Sequence, residues 1–196
     1  MGLEAPGTGR KPMISVVKIQ TLILQMETIK IAYYHFLAGE MMMGSYGDRI
    51  CLCDWVENRR RGLTDRRICG SLSSVYEEGG SEIMDEAMLQ LDEYFAGERK
   101  IFTIPILFTG TEFQCRVWNE LMKISYGETV SYGEIAQRIQ NPNAVRAVAN
   151  AIATNPISIL VPCHRVIGSD GKLTGYAGGI RAKQMLLDIE SETLNS

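Results

Sequence analysis

The tetrapeptide at residues 162–165 reads Pro-Cys-His-Arg and directly follows an apolar run. A thiolate is a strong nucleophile, but a free cysteine has a pKa of about 8.5 and is mostly protonated at neutral pH. His164 can accept that proton, and an acidic side chain such as Glu190 can hold the imidazole in one tautomer. The spacing therefore predicts a buried strand at residues 157–161 that leads into a nucleophilic cysteine, Cys163.

Two other interpretations of these residues stay open. A bare Cys-His pair is more often structural than catalytic, because cysteine packs well in apolar cores. Zinc binding is the second alternative, although the spacing of the possible ligands is not that of a usual zinc module. Those ligands are His35, Cys51, Cys53 and Cys69. The glycine-rich segments 168–171 and 175–179 lack the Walker pattern of a phosphate-binding loop and are interpreted as tight turns around a pocket. Given this and the unusual ligand spacing, we expect neither a metal nor a cofactor.

Composition places these residues in a folded globular protein. The chain has 196 residues, of which 45% are hydrophobic and 22% charged. Its five cysteines lack the density of a disulfide scaffold, which predicts reduced thiols in the cytoplasm or, in a eukaryote, the nucleus. The net charge of -3 gives no argument for a nucleic-acid partner. Residues 132–183 are nevertheless locally positive, with six Lys or Arg side chains and two acidic ones.

The chain divides into a leader and two predicted domains. Residues 1–25 are interpreted as a detachable leader, with Met26 as an alternative start, and no apolar run approaches the roughly 20 residues that span a membrane. Residues 26–108 form the predicted N-terminal α/β domain, and residues 109–196 the mostly helical C-terminal domain. We therefore expect an α+β protein with no membrane association.

The N-terminal domain is predicted to contain a small antiparallel sheet and a helix. Three short strands within residues 31–57 are separated by Gly39 and by residues 44–48. A helix follows at residues 81–97, capped by Ser81. Residues 101–108 are predicted to be extended, and the arginines at residues 59–61 and 66–67 are interpreted mainly as a solvated loop or helix start.

The C-terminal domain is predicted to contain a helix-turn-helix. Helices are expected at residues 111–124, 132–139 and 143–153, and Ser131 with Glu134 forms a capping box at the start of the second. A further helix at residues 183–190 carries Glu190. A helix, a short turn and another helix are by themselves a weak signal, because any helical bundle contains such pairs.

The third helix, residues 143–153, is unusually rich in alanine. One face carries Val145, Val148, Ala149 and Ile152, and the opposite arc carries Ala144, Ala147, Ala151, Asn150, Thr154 and, at one edge, Arg146. Packing against another helix explains the alanines and is favoured by composition alone. A helix lying in the DNA minor groove, which is only about 6 Å wide, explains them too and also accounts for Arg146, which could fill the gap left by an extruded base.

The sequence resembles the O6-alkylguanine-DNA alkyltransferase family, also called the methylated-DNA–protein-cysteine methyltransferases. The resemblance covers the whole second half in order and spacing, through residues 113–118, 126–132, 146–148, 155–156, 162–168 and 173–179 and Glu190. Gln140 departs from the pattern, since the family often has glycine there. The first half matches more loosely and lacks a convincing counterpart of the zinc site present in some members.

The resemblance implies DNA repair by direct damage reversal. A methyl or alkyl group would pass irreversibly from O6-alkylguanine, with O4-alkylthymine as an additional candidate, to the cysteine of a protein that acts once. The partner would be double-stranded DNA bound through its minor groove, and the protein a monomer. The implied catalytic residues are Cys163, His164, Glu190, Tyr132 and Asn155. The implied DNA- and substrate-binding residues are Arg146, Ala144, Ala147, Ala151, Val166, Tyr176, Ala177, Gly178, Lys183 and Arg165.

Within this resemblance the roles differ. Glu190, His164 and a water would take the proton of Cys163, and Asn155 would brace the turn before it. Arg146 would intercalate and Tyr132 would help to rotate the nucleotide under the loop at residues 176–179. Two other functions compete with transfer: a module that marks damaged bases without repairing them, and a cysteine hydrolase that turns over repeatedly.

Overall fold

The computed structural model describes residues 27–36 and 39–195. The predicted leader at residues 1–25 lies outside the described residues. The described part forms an α+β fold, as the sequence predicts, with a four-stranded sheet, a two-stranded sheet and six α-helices. None of the helices in this part has the length and apolar character that crossing a membrane requires.

The first half is built on one mixed sheet. Its strands are β1 (Ile29–Phe36), β2 (Gly39–Tyr46), β3 (Arg49–Trp55) and β4 (Tyr76–Glu78), in the order β3-β2-β1-β4. The first three strands pair antiparallel, which confirms the predicted meander. The predicted break at residues 44–48 is wrong in part, because β2 continues through Gly44 and the turn is confined to Gly47 and Asp48. The parallel pairing of β4 with β1 was not predicted, since a strand of 3 residues is too short to show a periodic pattern.

Two helices pack with this sheet. They are α1 (Arg61–Leu72) and α2 (Glu82–Phe95). The helix predicted at residues 81–97 is confirmed, and the Ser81 hydroxyl accepts a hydrogen bond from the Met84 backbone N–H. Arg67 of α1 is not solvated as expected, because it is partly buried, donates to the Thr154 carbonyl over 2.9 Å and lies over the Trp118 ring.

The second half consists of helices joined by short turns. Its elements are α3 (Glu112–Leu121), β5 (Val130–Ser131), α4 (Tyr132–Arg138), α5 (Val145–Ile152), β6 (Val166–Ile167) and α6 (Gly179–Asn195). The predicted capping box at the start of α4 is confirmed, with Ser131 and Glu134 bonding each other's backbone N–H groups. Gln140, which follows α4, has a left-handed φ of 58°, a conformation that glycine adopts without strain.

The strand predicted at residues 157–161 is wrong. This segment is a tight turn in which Ile159 has a φ of 70°, and it makes only isolated bridges. The turn is held by Asn155, whose amide nitrogen donates to the Val161 carbonyl over 3.0 Å. The β-branched residues that suggested a strand are instead buried by tertiary packing, which overrides their local preference.

The two halves share one apolar core. Met41 and Tyr94 from the first half and Trp118 and Leu186 from the second belong to a single cluster of buried side chains. Backbone hydrogen bonds also cross between the halves, since Cys53 donates to the Pro156 carbonyl over 2.9 Å and accepts from the Ser158 N–H over 2.6 Å. These bonds fix the turn that leads into Cys163 against the sheet.

Candidate active site

Cys163 lies at the start of a 3₁₀ turn, Cys163–Arg165, that follows the Asn155-braced segment. Its side chain is buried but lines a cavity of about 1050 Å³ between the two halves. Burial raises the pKa of the Cys163 thiol, although the Asn155 side chain and the Lys183 charge lower it. The resting cysteine is therefore a thiol, and nucleophilic attack requires a base that removes its proton.

His164 and Glu190, predicted as partners from the sequence, are in direct contact. His164 Nε2 lies 2.8 Å from Glu190 Oε1, and both side chains are fully buried. Burial alone raises the pKa of Glu190, but hydrogen bonds and charges from His164 and Arg165 outweigh it and lower the pKa to about 2. An ionised carboxylate only accepts hydrogen bonds, so His164 Nε2 is the donor. His164 Nδ1 is then an acceptor, and it has no hydrogen-bond partner among the described residues.

Burial also governs the protonation of His164. It lowers the pKa of the imidazole, while Glu190 raises it. The imidazole is thus neutral at pH 7, with the nitrogen that faces away from Glu190 able to accept a proton. Activation of a cysteine nucleophile requires such a neutral base, and His164 directly follows Cys163 in the sequence.

Arg165 does not occupy the position predicted for it. The resemblance implies a DNA or substrate contact for Arg165, but in this structure it is buried and its guanidinium binds both carboxylate oxygens of Glu190 at 3.0 to 3.2 Å. It also donates to the Ile124 carbonyl over 2.6 Å. Arg165 is therefore a structural counter-ion whose partner lies 25 residues away in the sequence.

The cavity is closed on one side by the loop before α6. Tyr176, Ala177 and Gly178, for which the resemblance implies substrate binding, line it. Trp55 at the end of β3 packs against this loop: its ring lies 5.8 Å from the Tyr176 ring, and a Cβ added at Gly178 would stand 2.3 Å from its Cε2 atom. Glycine at position 178 thus permits the close approach of the two halves above Cys163.

Lys183, Val166 and Tyr132 lie outside the residues that line the cavity. Lys183 is buried, and its ammonium donates to the Val166 carbonyl over 2.6 Å and to the Thr174 carbonyl over 2.8 Å. Burial lowers the pKa of Lys183 to about 8. Tyr132 accepts a hydrogen bond from the Thr174 hydroxyl over 3.2 Å. These contacts tie α4, α6 and the active-site loop together, so these three residues support the loop in this structure.

The exposed surface of α5 differs in part from the prediction. Arg146, Ala147 and Asn150 are exposed, and Ala144 before the helix is partly exposed, as expected. Ala151 is wrongly placed on that arc: it is 3% exposed and its carbonyl accepts from Trp118 Nε1 over 2.8 Å. Val145, placed on the same face as Val148 and Ile152, is 38% exposed, whereas those two residues are buried. The helix starts after a 3₁₀ turn, Pro142–Ala144, and the residues that it buries are Val148, Ala151 and Ile152.

The four candidate zinc ligands do not converge. Cys51 and Cys53 are fully buried in two different apolar clusters, and His35 is exposed beside Glu40. Among the described residues, no group of three or more His, Cys, Asp or Glu side chains could hold a metal ion. Cys51 donates weakly to the Gly44 carbonyl, a contact typical of a packed thiol.

Two residues near the site carried no signal in the sequence. Tyr94 of α2 donates its hydroxyl to Glu190 Oε1 over 2.8 Å, across 96 positions of sequence. Trp55 was unpredictable for the same reason, because its contacts with Tyr176 and Gly178 join distant segments. Aromatic residues with alternating or helical spacing predict only a core position, which both also have.

The fold and the site together define a protein with a buried cysteine that lines a cavity, a buried His-Glu pair that begins at the next residue, and a helix that exposes alanine and arginine. Comparison with known proteins gives the class. A family model described as "6-O-methylguanine DNA methyltransferase, DNA binding domain" matches residues 112–192. A methylated-DNA–protein-cysteine methyltransferase of Methanosarcina mazei is 46% identical over 141 residues, which are 72% of this chain and 75% of the relative.

Other comparisons agree. The methylated-DNA–protein-cysteine methyltransferase of Methanosarcina acetivorans is 58% identical over 109 residues, 56% of this chain and 70% of the relative. A crystal structure of Mycobacterium tuberculosis OGT in complex with DNA has a TM-score of 0.72 and 40% sequence identity, covering 84% of this chain and 94% of that one. The chain belongs to the methylated-DNA–protein-cysteine methyltransferase family.

Proposed function

We propose that this protein repairs DNA by transferring a methyl or larger alkyl group from the O6 atom of guanine to Cys163. The observation that carries the proposal is the 2.8 Å contact of His164 with Glu190, next to a buried cysteine that lines a cavity. Family membership supports the same reaction, as does the complex of the Mycobacterium tuberculosis relative with DNA.

The proposed reaction is a single displacement. His164 Nδ1 accepts the Cys163 proton, directly or through one water, and the thiolate attacks the alkyl carbon. The S–C bond forms as the C–O6 bond breaks, and the bonding electrons pass to the guanine oxygen. The proton then passes to the departing base, which leaves as ordinary guanine, and Cys163 becomes a thioether. A thioether is stable, so each molecule acts once.

The exposed surface of α5 is the proposed DNA contact. Apart from Arg146 and Val145 its exposed side chains are small, so the helix backbone can approach a narrow minor groove. With α4 and the turn between them, α5 would form a helix-turn-helix. Arg146 is exposed and could fill the space of an extruded nucleotide. Ile152 and Ala153 at the far end of the helix line the Cys163 cavity, so a base leaving the duplex near Arg146 would be close to the thiol.

Mass spectrometry on the intact protein tests the transfer. After incubation with a duplex containing O6-methylguanine, we expect one added methyl group per molecule, located on the Cys163 peptide. The Cys163→Ala variant should bind the duplex and gain no mass. Tight binding with an unchanged wild-type mass would instead indicate a damage-marking module, and repeated release of product would indicate a hydrolase.

The role of Arg146 needs a separate comparison of two substrates. Arg146→Ala should slow repair of the duplex by at least about tenfold while leaving the reaction with free O6-benzylguanine nearly unchanged, because only the duplex requires extrusion. Arg49→Ala is the matched control, since it removes an exposed positive charge from the start of β3. Equal losses on both substrates would exclude the extrusion role.

A further inference from the structure

Tyr94 is not among the predicted site residues, but it contacts both Glu190 and His164. It lies on α2, in the first half of the chain, and its side chain is fully buried. Its hydroxyl donates to Glu190 Oε1 over 2.8 Å and lies 3.5 Å from His164 Nε2. The same carboxylate oxygen therefore accepts from Tyr94 and from His164, each at 2.8 Å.

Glu190 accepts further hydrogen bonds that do not involve His164. The backbone N–H of Gly127 donates to Oε2 over 2.9 Å, and the Arg165 guanidinium reaches both oxygens. These bonds hold the carboxylate in place without Tyr94. Tyr94 is thus one of several donors that anchor Glu190, and its hydroxyl shares the acceptor oxygen Oε1 with His164.

We propose that Tyr94 is a positioning residue for alkyl transfer, which tunes the base His164 by sharing Glu190 Oε1 with it. The inference rests on the proposed function only in that His164 must accept the thiol proton. A hydroxyl that donates to Oε1 weakens this oxygen as an acceptor for His164. The imidazolium is then less stabilised, which lowers the pKa of His164. The imidazole therefore remains neutral, and able to accept the thiol proton, at lower pH values than it would without Tyr94.

Tyr94 itself stays a donor throughout. Burial and the neighbouring Glu190 charge raise the pKa of Tyr94 far above its usual value, so the hydroxyl keeps its proton. The other titratable or charged groups around His164 and Glu190 are Arg165, Lys183, Cys163, Tyr126 and Tyr176. None of them donates a hydroxyl to Glu190 Oε1 in this structure.

Tyr94→Phe tests the proposal because it removes the hydroxyl and keeps the ring. Without the competing donor, Glu190 stabilises the imidazolium more, and the pKa of His164 rises. The rate of reaction with free O6-benzylguanine increases with pH as His164 loses its proton. We expect the midpoint of this increase to lie about one pH unit higher in the variant than in the wild type. An unchanged profile, or a shift to lower pH, would overturn the proposal.

The matched control is Tyr34→Phe. Tyr34 is also buried and also donates to a carboxylate on α2, since its hydroxyl lies 2.6 Å from Asp92 Oδ1. Its hydroxyl bonds Asp92 and not Glu190 in this structure, so its removal should leave the pH profile in place. A shift in both variants would indicate a general effect of lost packing and would count against Tyr94 as the tuning group.

A direct measurement does not depend on activity. The sequence has 2 histidines, so ¹⁵N-histidine NMR resolves His164 from the exposed His35. We expect the wild-type His164 to carry its proton on Nε2 and to titrate at lower pH than in Tyr94→Phe. If Tyr94→Phe does not fold, 3-fluorotyrosine in place of Tyr94 gives the opposite test, because a more acidic hydroxyl should shift the titration further down.

The two proposals fail separately. If the wild-type protein gains no methyl group on Cys163, the proposed function is wrong, whatever the titration of His164 shows. If the wild type is methylated but the His164 titration is the same with and without the Tyr94 hydroxyl, only the role of Tyr94 is wrong.

Discussion

Arg165→Met tests whether this arginine is a counter-ion inside the protein or a DNA contact. The guanidinium makes three hydrogen bonds with Glu190, at 3.0, 3.0 and 3.2 Å, and one with the Ile124 carbonyl at 2.6 Å. Its side chain is 7% exposed and that of Glu190 is fully buried. Removing one member of such a pair leaves the other charge buried without its partner.

The expected loss follows from that burial. Breaking a buried ion pair by removing one partner costs about 3–5 kcal/mol. A domain is stabilised by only about 5–15 kcal/mol in total, so Arg165→Met should lose a large fraction of its unfolding free energy. The double variant Arg165→Met/Glu190→Gln should recover part of it, because neither charge then remains unpaired.

The assay combines stability with DNA binding. Urea unfolding followed by circular dichroism gives the free energy, and fluorescence anisotropy with an undamaged duplex gives the affinity of the folded variant. Arg146→Met is the matched control: we expect a stability change within about 0.5 kcal/mol and clearly weaker DNA binding. If Arg165→Met lost less than about 1 kcal/mol and bound DNA as weakly as the control, the counter-ion role would be refuted.

Three further predictions concern acid stability and two backbone positions. The pKa of Glu190 is about 2 against a usual 4.5, so about 3 kcal/mol of stability is present above pH 4.5 and lost as the pH falls toward 2. Urea unfolding of the wild type and of Glu190→Gln at a series of pH values measures this loss. The same pH dependence of the unfolding free energy in both proteins would contradict it. Gly178→Ala places a Cβ 2.3 Å from Trp55 and should cost about 1–3 kcal/mol in thermal unfolding, whereas Gly70→Ala, with open space around it, should not destabilise the protein. Gln140→Gly relieves a left-handed φ of 58° and should raise the unfolding free energy by up to about 1 kcal/mol; a loss of stability would show that the Gln140 side chain compensates the strain.

Local signals in the sequence predicted the parts of the fold that local interactions determine. The capping residues Ser81 and Ser131 mark helix starts that the structure confirms, because a cap satisfies backbone groups within one turn. The strand predicted at residues 157–161 failed for the opposite reason. Its conformation depends on the Asn155 amide and on backbone bonds with Cys53, and neither contact produces a periodic pattern.

The sequence predicted which residues belong to the site better than it predicted their burial and contacts. Chemistry required a partner for the base His164 and made Glu190 a candidate, and the resemblance implied the pair that is observed. The burial of Arg165 could not be predicted, because an arginine next to a reactive cysteine has the same appearance whether it contacts DNA or a carboxylate on a later helix. The orientation of Ala151 was also undetermined, since alanine suits both faces of a helix.

The hydrogen bonds between Cys53 and residues 156 and 158 have a consequence for how the molecule unfolds. They attach the segment before the nucleophile to the central sheet of the first half, inside an apolar core to which both halves contribute. Melting of either half would remove the packing surface of the other, so heat should produce a single cooperative transition. The portion that matches the family's DNA-binding domain would then not be a transplantable module, because separating it near residue 109 would expose part of that core to water.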